Sequence, residues 1–185
     1  MGQVVVTEFI TLDGVIEDPG GAEGGPNGGW AFRFDRGAEG DAFKVKELED
    51  ADAQLLGRVT YEGFAKAWPS MRNDAFGEKM NAMPKVVVST TLTVATWENS
   101  TILRTVDGVA DLKTQYDGDI LVAGSATLAH ALFEHDLVDR LHLMVFPLLL
   151  GTGKKLFPDA GDVKKFQVTS VQQSAEVAIV TLKRS

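Results

Sequence analysis

The sequence predicts a single α/β domain whose mixed sheet is largely parallel at its centre and antiparallel at its C-terminal edge, with helices covering it. Three observations carry this. Short β-branched runs alternate with amphipathic stretches over the first two thirds of the chain. From Arg140 onward, strand-like runs follow one another without helices between them. No internal repeat, linker or change of composition divides residues 1–185, so one domain is expected.

The elements follow in order. Val4 to Ile10 is β-branched and aromatic and ends at Asp13-Gly14, which supplies turn chemistry; it is expected to be a central strand. Asp18 to Trp30 is too dense in glycine for helix or strand, because glycine loses the most backbone entropy on ordering. A mobile loop is expected there, with Trp30 at its end. Asp41 to Asp50 sets Phe43, Val45 and Leu48 among charges, as a short amphipathic helix does, and Ala53 to Leu56 is a strand stopping at Gly57. Thr60 is placed near the N-cap of the next helix. Lys85 to Ser89 is a buried strand, Ser100 to Leu103 a weaker one, and Val109 to Tyr116 a helix. Asp119 to Ala123 is a further strand, stopping at Gly124-Ser125 before a helix over 127–135. Arg140 to Phe146 is closed by Pro147, and Phe166 to Val171 with Val177 to Leu182 form an antiparallel terminal pair.

With 44% hydrophobic and 24% charged residues the chain sits among ordinary globular proteins, and at 185 residues it can bury a core without staples. It contains no cysteine, which removes thiol nucleophiles, disulfides and zinc ribbons. A formal charge of −8 repels a phosphate backbone, so no nucleic-acid partner is expected. No apolar run is long enough to span a membrane and the N-terminus lacks signal-peptide character, so no membrane partner and a cytoplasmic location are expected. His130, His135 and His142 match no zinc spacing. Gly151-Thr152-Gly153-Lys154-Lys155 fails as a phosphate loop, since Lys155 stands where a Ser or Thr would bind magnesium. Met71, Met80, Met83, Phe76 and Trp68 read as packing and cleft-rim residues.

Three strand ends suit an anionic ligand. In open α/β sheets ligands bind beyond the strands' carboxyl ends, where helix N-termini and loop amides point outward. Gly57, Arg58 and Thr60 combine close backbone approach, a forked cation and a hydroxyl. Ser89, Thr90 and Thr91 form a row of hydroxyls, and Gly124, Ser125, Ala126 and Thr127 are small residues between strand and helix. Together they describe a cleft for a phosphate-rich cofactor.

These segments, with Phe9 to Ile16 and Pro147 to Phe157, resemble in order the dihydrofolate-reductase-like superfamily, and most nearly its stand-alone proteins related to the C-terminal reductase domain of the riboflavin-biosynthesis deaminase-reductase. The resemblance spans nearly the whole chain. It implies a three-layer α/β/α fold, NADPH as cofactor, a small-molecule substrate and a homodimer. Carried over by position, Gly57, Arg58 and Thr60 would hold the pyrophosphate and 2′-phosphate region, and Ser89, Thr90 and Thr91 would lie near the adenosine ribose and its 2′-phosphate. Gly124, Ser125, Ala126 and Thr127 would sit against the pyrophosphate, while Thr11, Leu12, Asp13, Gly14, Val15 and Ile16 would flank the nicotinamide. Trp30 would close over substrate at the end of the glycine loop. Folate reductases place an acid before the Gly-Arg-x-Thr element; Asp41 falls at that separation and is the candidate proton donor or pterin anchor, with an ordinary solvated helix carboxylate as the alternative.

The chain departs from folate reductases in having Gly124-Ser125 where they have a glycine pair or triplet, and no deaminase-type set of His and Cys accompanies it. The implied activity is NADPH-dependent hydride transfer to a small heterocyclic or pyrimidine-ribosyl substrate, resembling that of 5-amino-6-(5-phosphoribosylamino)uracil reductase. Dihydrofolate reductase activity, or nucleotide binding without turnover, are the alternatives. A phosphoribosyl substrate needs a second basic patch, for which Arg33, Arg36, Lys79 and Lys85 are candidates.

Overall fold

A computed structural model describes residues 1–159 and 161–185. Its strands are β1 (Gln3–Thr11), β2 (Ala51–Gly57), β3 (Lys85–Val88), β4 (Ser100–Leu103), β5 (Asp119–Ala123), β6 (Arg140–Phe146), β7 (Phe166–Ser174) and β8 (Val177–Arg184). The α-helices are α1 (Gly37–Asp50), α2 (Arg58–Ala67), α3 (Ala75–Ala82), α4 (Val109–Gln115) and α5 (Ala126–Glu134). One sheet runs in the order β4-β3-β2-β5-β1-β6-β8-β7. The pairs from β4 to β6 are all parallel, and β6–β8 and β8–β7 are antiparallel. The carboxyl ends of β1, β2, β3 and β5 therefore share one edge.

Central parallel strands are buried on both faces, which is why they read as unbroken apolar runs. Val4, Val6 and Ile10 of β1 pack with Leu128, Ala129 and Leu132 of α5 and Val109 and Leu112 of α4. Val5 of the same strand faces Leu48 of α1, Tyr61 of α2, Met80 of α3 and Trp97. The sheet thus lies between two helical layers, as the dihydrofolate-reductase-like reading required. Among the described residues no helix is long and apolar enough to cross a membrane.

Two local expectations are corrected, and one element is new. Thr60 is not at an N-cap: Gly57 is the extended residue before α2, and Thr60 lies inside the first turn. Helix α3 is an unforeseen element. Its Asp74 cap accepts a bond from the Gly77 N–H at 2.8 Å, and a Cβ at Gly77 would lie 2.0 Å from the Met71 carbonyl oxygen, so a residue that reads as a helix breaker is there for close packing. Trp30 is no free lid. It is 0% exposed, donates from Nε1 to the Glu17 carbonyl at 2.8 Å and meets Phe146 edge-on with centroids 5.2 Å apart, so it anchors the loop in the core rather than covering a substrate.

The glycine loop itself is wound on one carboxylate. Asp18 Oδ1 accepts from the Glu23 N–H at 2.9 Å and Oδ2 from the Gly25 N–H at 3.0 Å, while the Asp18 carbonyl accepts from Gly29 at 2.9 Å. A Cβ at Gly28 would fall 2.2 Å from Asp18 Oδ2, so glycine there makes room for the carboxylate.

Lys85 is not part of a basic patch but is buried against the Trp97 ring. Its Nζ sits 4.1 Å from the Trp97 ring centroid and donates to the carbonyls of Asn81 and, at 3.2 Å, Glu98. Desolvation pushes its pKa down to about 8, against the pull of Glu98 and with a smaller push from Arg72. Between about pH 8 and the unfolded value near 10.5 the unfolded chain binds the extra proton, so this group's contribution to stability rises with pH. Urea unfolding of wild type and Lys85→Met is expected to show the wild type gaining roughly 2 kcal/mol on the variant between pH 7 and pH 10. Curves that stay parallel over that range would contradict this assignment.

Candidate functional site

The site is built where β2 and β5 end side by side. Gly57 at the end of β2 donates its N–H to Ser125 Oγ at 2.9 Å, and a Cβ on Gly57 would lie 3.2 Å from that oxygen. A Cβ on Gly124 would lie 3.2 Å from Thr60 Oγ1. Gly57, Thr60, Gly124 and Ser125, from two strand ends far apart in sequence, are thus one contact set. Gly124 and Ser125 have φ of +62° and +63°; the second is a left-handed serine, a conformation that costs energy in a residue bearing a side chain.

Ser125 precedes α5 but makes no side-chain cap, because its hydroxyl is engaged by Gly57. The first N–H groups of α5 therefore face outward without a capping oxygen, at the positive end of the helix dipole. Ala126 is buried beneath this turn and Thr127 is exposed on it. Arg58, the first residue of α2, is half-exposed and forks onto Glu62 with bonds of 3.1 and 2.9 Å.

The third strand end has a different use of its hydroxyls. Ser89 Oγ accepts from the N–H groups of Thr91 at 3.2 Å and Leu92 at 2.9 Å, closing the turn after β3. Arg104 ties down the same turn through the carbonyls of Ser89 and Leu92, at 3.1 and 2.7 Å. Thr90 and Thr91 are left exposed on its outside.

At the end of β1, Thr11 Oγ1 donates to Asp13 Oδ1 at 2.5 Å and accepts from the Val15 N–H at 3.0 Å. Asp13 also accepts from Leu150 at 3.2 Å and Gly151 at 2.7 Å. The Thr11 hydroxyl, and after it the Gly151 amide, hold the Asp13 carboxyl down to about 2. Asp13 therefore fastens the 148–151 loop to β1. Val15 and Ile16 are core side chains, so of the 11–16 segment Leu12 is the one exposed to solvent, with Asp13 and Gly14 half-buried.

On the α1 side of β1, Phe9 lies under two cations, Arg36 Cζ and Lys44 Nζ, each 5.4 Å from its centroid. Asp41 is paired with Arg36 at 2.7 Å and is largely exposed, with none of the apolar enclosure that a proton-donating carboxyl would need; the ordinary helix-carboxylate alternative fits its surroundings. Arg36 is the member of the proposed basic patch that stands beside Phe9.

Two buried carboxyls were not foreseen. Glu47 of α1 accepts from Thr7 Oγ1 at 2.8 Å and His142 Nδ1 at 2.7 Å, and meets Lys44 at 2.5 Å, while Lys44 also donates to Thr7 Oγ1 at 2.7 Å. Burial alone would push Glu47 up, but Lys44 and His142 outweigh it and hold it below its ordinary value. Glu8 of β1 is 4% exposed, and its Oε1 has no hydrogen-bond partner among the described residues. Burial pushes it up to about 8, opposed by the Gly124 amide and Lys44 and helped by Glu47. The available signal for Glu8 was an acid in the middle of the apolar Val4–Ile10 run.

A family model described as the RibD C-terminal domain matches residues 3–180. No curated protein matches the chain. Among solved structures it is similar to a putative riboflavin biosynthesis protein from Shewanella sp. PV-4, with TM-score 0.74, 22% identity and 99% of each chain covered. It is also similar to a diaminohydroxyphosphoribosylaminopyrimidine deaminase/5-amino-6-(5-phosphoribosylamino)uracil reductase from Thermotoga maritima, with TM-score 0.65 and 17% identity over 100% of this chain and 57% of that one. Dihydrofolate reductase from Enterococcus faecalis, complexed with NADP(H) and RAB-propyl, matches with TM-score 0.59 and 15% identity over 100% of this chain and 97% of that one.

Replacing Asp13 by Asn removes the charge that gathers two loop amides. Amide exchange at Leu150 and Gly151 is expected to quicken about tenfold in Asp13→Asn, from loss of charge-assisted bonds of about 1.5 kcal/mol. Unchanged protection at both amides would show that the loop is held by other contacts.

Proposed function

The chain belongs to the RibD C-terminal domain family, and on that premise we propose that it is an NADPH-dependent reductase delivering hydride to a small heterocyclic or pyrimidine-ribosyl substrate. The observation that carries this reading is the convergence of Gly57, Thr60, Gly124 and Ser125 beneath the uncapped start of α5. Both glycines let the two strand ends approach, since a Cβ on either would crowd Ser125 or Thr60, and the amides at the start of α5 suit a pyrophosphate. In this reading the residues 124–127 hold the pyrophosphate, while Arg58, Thr60 and the exposed Thr90 and Thr91 face the ribose and 2′-phosphate. NADPH, when bound, supplies the hydride and its electron pair.

The chain's own residues orient, shield and charge the pocket. Leu12 and Gly14 flank the cleft from β1, and the loop fastened by Asp13 closes that end against water. Phe9, with Arg36 and Lys44 over its ring, offers the substrate an apolar floor between two cations, which suits a phosphate-bearing or carbonyl-bearing heterocycle. Asp41 then positions Arg36 through their ion pair instead of donating a proton. Lys44, partly exposed and joined to the buried Glu47–His142 pair, is placed to pass a proton toward the reduced atom, with water as the alternative source. Dihydrofolate reduction is disfavoured by the exposure of Asp41, which leaves a pterin no enclosed acidic anchor. A cytoplasmic homodimer is the expected form.

Calorimetric titration with NADPH tests the reading: saturable binding, followed by substrate-dependent oxidation in a screen of pyrimidine-ribosyl phosphates and simple carbonyls, supports it. Binding without turnover across that screen would favour a nucleotide-binding protein, and no binding would remove the cofactor altogether. Arg58→Ala is expected to weaken NADPH by about 1.5 kcal/mol, roughly tenfold, and NADH by much less. The low end of the charge-assisted range applies because Arg58 is half-exposed and must loosen its fork on Glu62. Equal losses for the two nucleotides would mean that Arg58 does not read the 2′-phosphate.

A further inference from the structure

We infer that Glu8 sets the affinity of the Gly124–Ser125 turn for an anionic dinucleotide, and that the protein takes up a proton at Glu8 when that ligand binds. The inference rests on the cofactor reading above. Glu8 alternates along β1 with Val4, Val6 and Ile10, which face α5, so its carboxyl lies in the apolar layer behind the start of that helix. Thr7 pairs with Ala123 in the parallel register of β1 and β5, which sets Gly124 beside Glu8, and the Gly124 amide favours the ionised carboxyl. Oε1 is buried with no hydrogen-bond partner among the described residues. The turn proposed to grip phosphates outside is thus backed on the inside by a carboxyl that is not balanced by an ion pair.

When Glu8 is ionised it draws the Gly124 N–H inward and sets a negative charge behind the turn, both adverse to a pyrophosphate outside. When it is protonated, neither effect operates. The neighbouring charges do not remove the effect. Lys44 and Glu47 of α1 act on Glu8 with opposite signs, and His142 of β6 is bound to Glu47. Around the turn, Gly57, Thr60 and Ser125 are uncharged, Arg58 is paired with Glu62, and His130 of α5 is engaged by the Lys155 carbonyl. Left to itself, Glu8 is pushed up to about 8, so it is mostly neutral at pH 7 and ionised at pH 9. Phosphates bound on the turn raise it further, which by linkage is proton uptake on binding.

NADPH binding followed by calorimetry from pH 6 to pH 9, in buffers of different ionisation enthalpy, reads this directly. With Glu8 titrating near 8, wild-type affinity is expected to fall about tenfold from pH 7 to pH 9, with proton uptake climbing from about 0.1 to about 0.9 per cofactor. Glu8→Gln, neutral at every pH, is expected to lose both the fall and the uptake. A ligand-free readout checks the variant's fold and the titration together. A carboxyl raised in the folded state contributes its stability below the unfolded value of 4.5 and loses it as pH climbs through about 8. Melting temperatures should therefore decline over that window in wild type and not in Glu8→Gln. NADPH affinities that fall in parallel for the two proteins, with no difference in proton uptake, would overturn the role of Glu8 and leave the cofactor reading standing. Absence of NADPH binding even at pH 6, where Glu8 is neutral, would overturn the cofactor reading and this inference with it.

Discussion

The hydrogen bond from the Gly57 N–H to Ser125 Oγ organises the candidate site. It forms because β5 lies next to β2, parallel to it, so that two strands far apart in the chain end at the same level of the sheet. Its consequence is felt at α5. A serine before a helix ordinarily turns its oxygen onto the helix's own amides, a contact that stabilises by about 0.5–2 kcal/mol. Here the oxygen faces β2 instead and the serine is left-handed, so α5 begins with open amides and a strained residue. Both features are costs to the isolated helix, and both are what an anion-binding turn requires.

The architecture was legible because its cause is local. Runs such as Val4–Ile10, Lys85–Val88 and Asp119–Ala123 are apolar on both faces, which parallel central strands must be, and the glycines after β2 and β5 mark where they stop. Those same glycines marked the turns of the candidate site. What stayed hidden depends on partners distant in sequence. Gly77 sits inside α3 because the Met71 carbonyl passes close to it, and Trp30 is buried because Phe146 and the Glu17 carbonyl await it. Asp41 stands at the right separation from Gly57, but separation along a chain does not state enclosure. Arg36, immediately before α1, meets it in the open.

Thr7 and Glu8 show how one strand serves two chemistries. Adjacent residues of a strand point to opposite faces, so Thr7 enters the α1 layer and Glu8 the α5 layer. In the first, Thr7 joins Lys44, Glu47 and His142, and against the push of burial Lys44 and His142 hold Glu47 below its ordinary pKa. In the second, Glu8 has one backbone amide and an orphaned oxygen, and desolvation prevails. Two buried glutamates a sheet's thickness apart are therefore driven in opposite directions by the presence or absence of an ammonium.

That difference gives the sheet a division of labour. The α1 face carries paired charge: Arg36 with Asp41 and Lys44 with Glu47, with the two cations over Phe9. The α5 face carries a carboxyl whose pKa burial raises to about 8, behind the turn proposed to receive phosphates. A single β1 strand links the two, ending at Thr11 and Asp13, whose bonds to the 148–151 loop close the strand's carboxyl edge. Across the sheet Lys44 and Glu47 reach Glu8 with opposing fields, so the paired charges of the α1 face largely cancel in their effect on it. A lone carboxylate on the α1 face would lack that compensation and would disturb both sides at once.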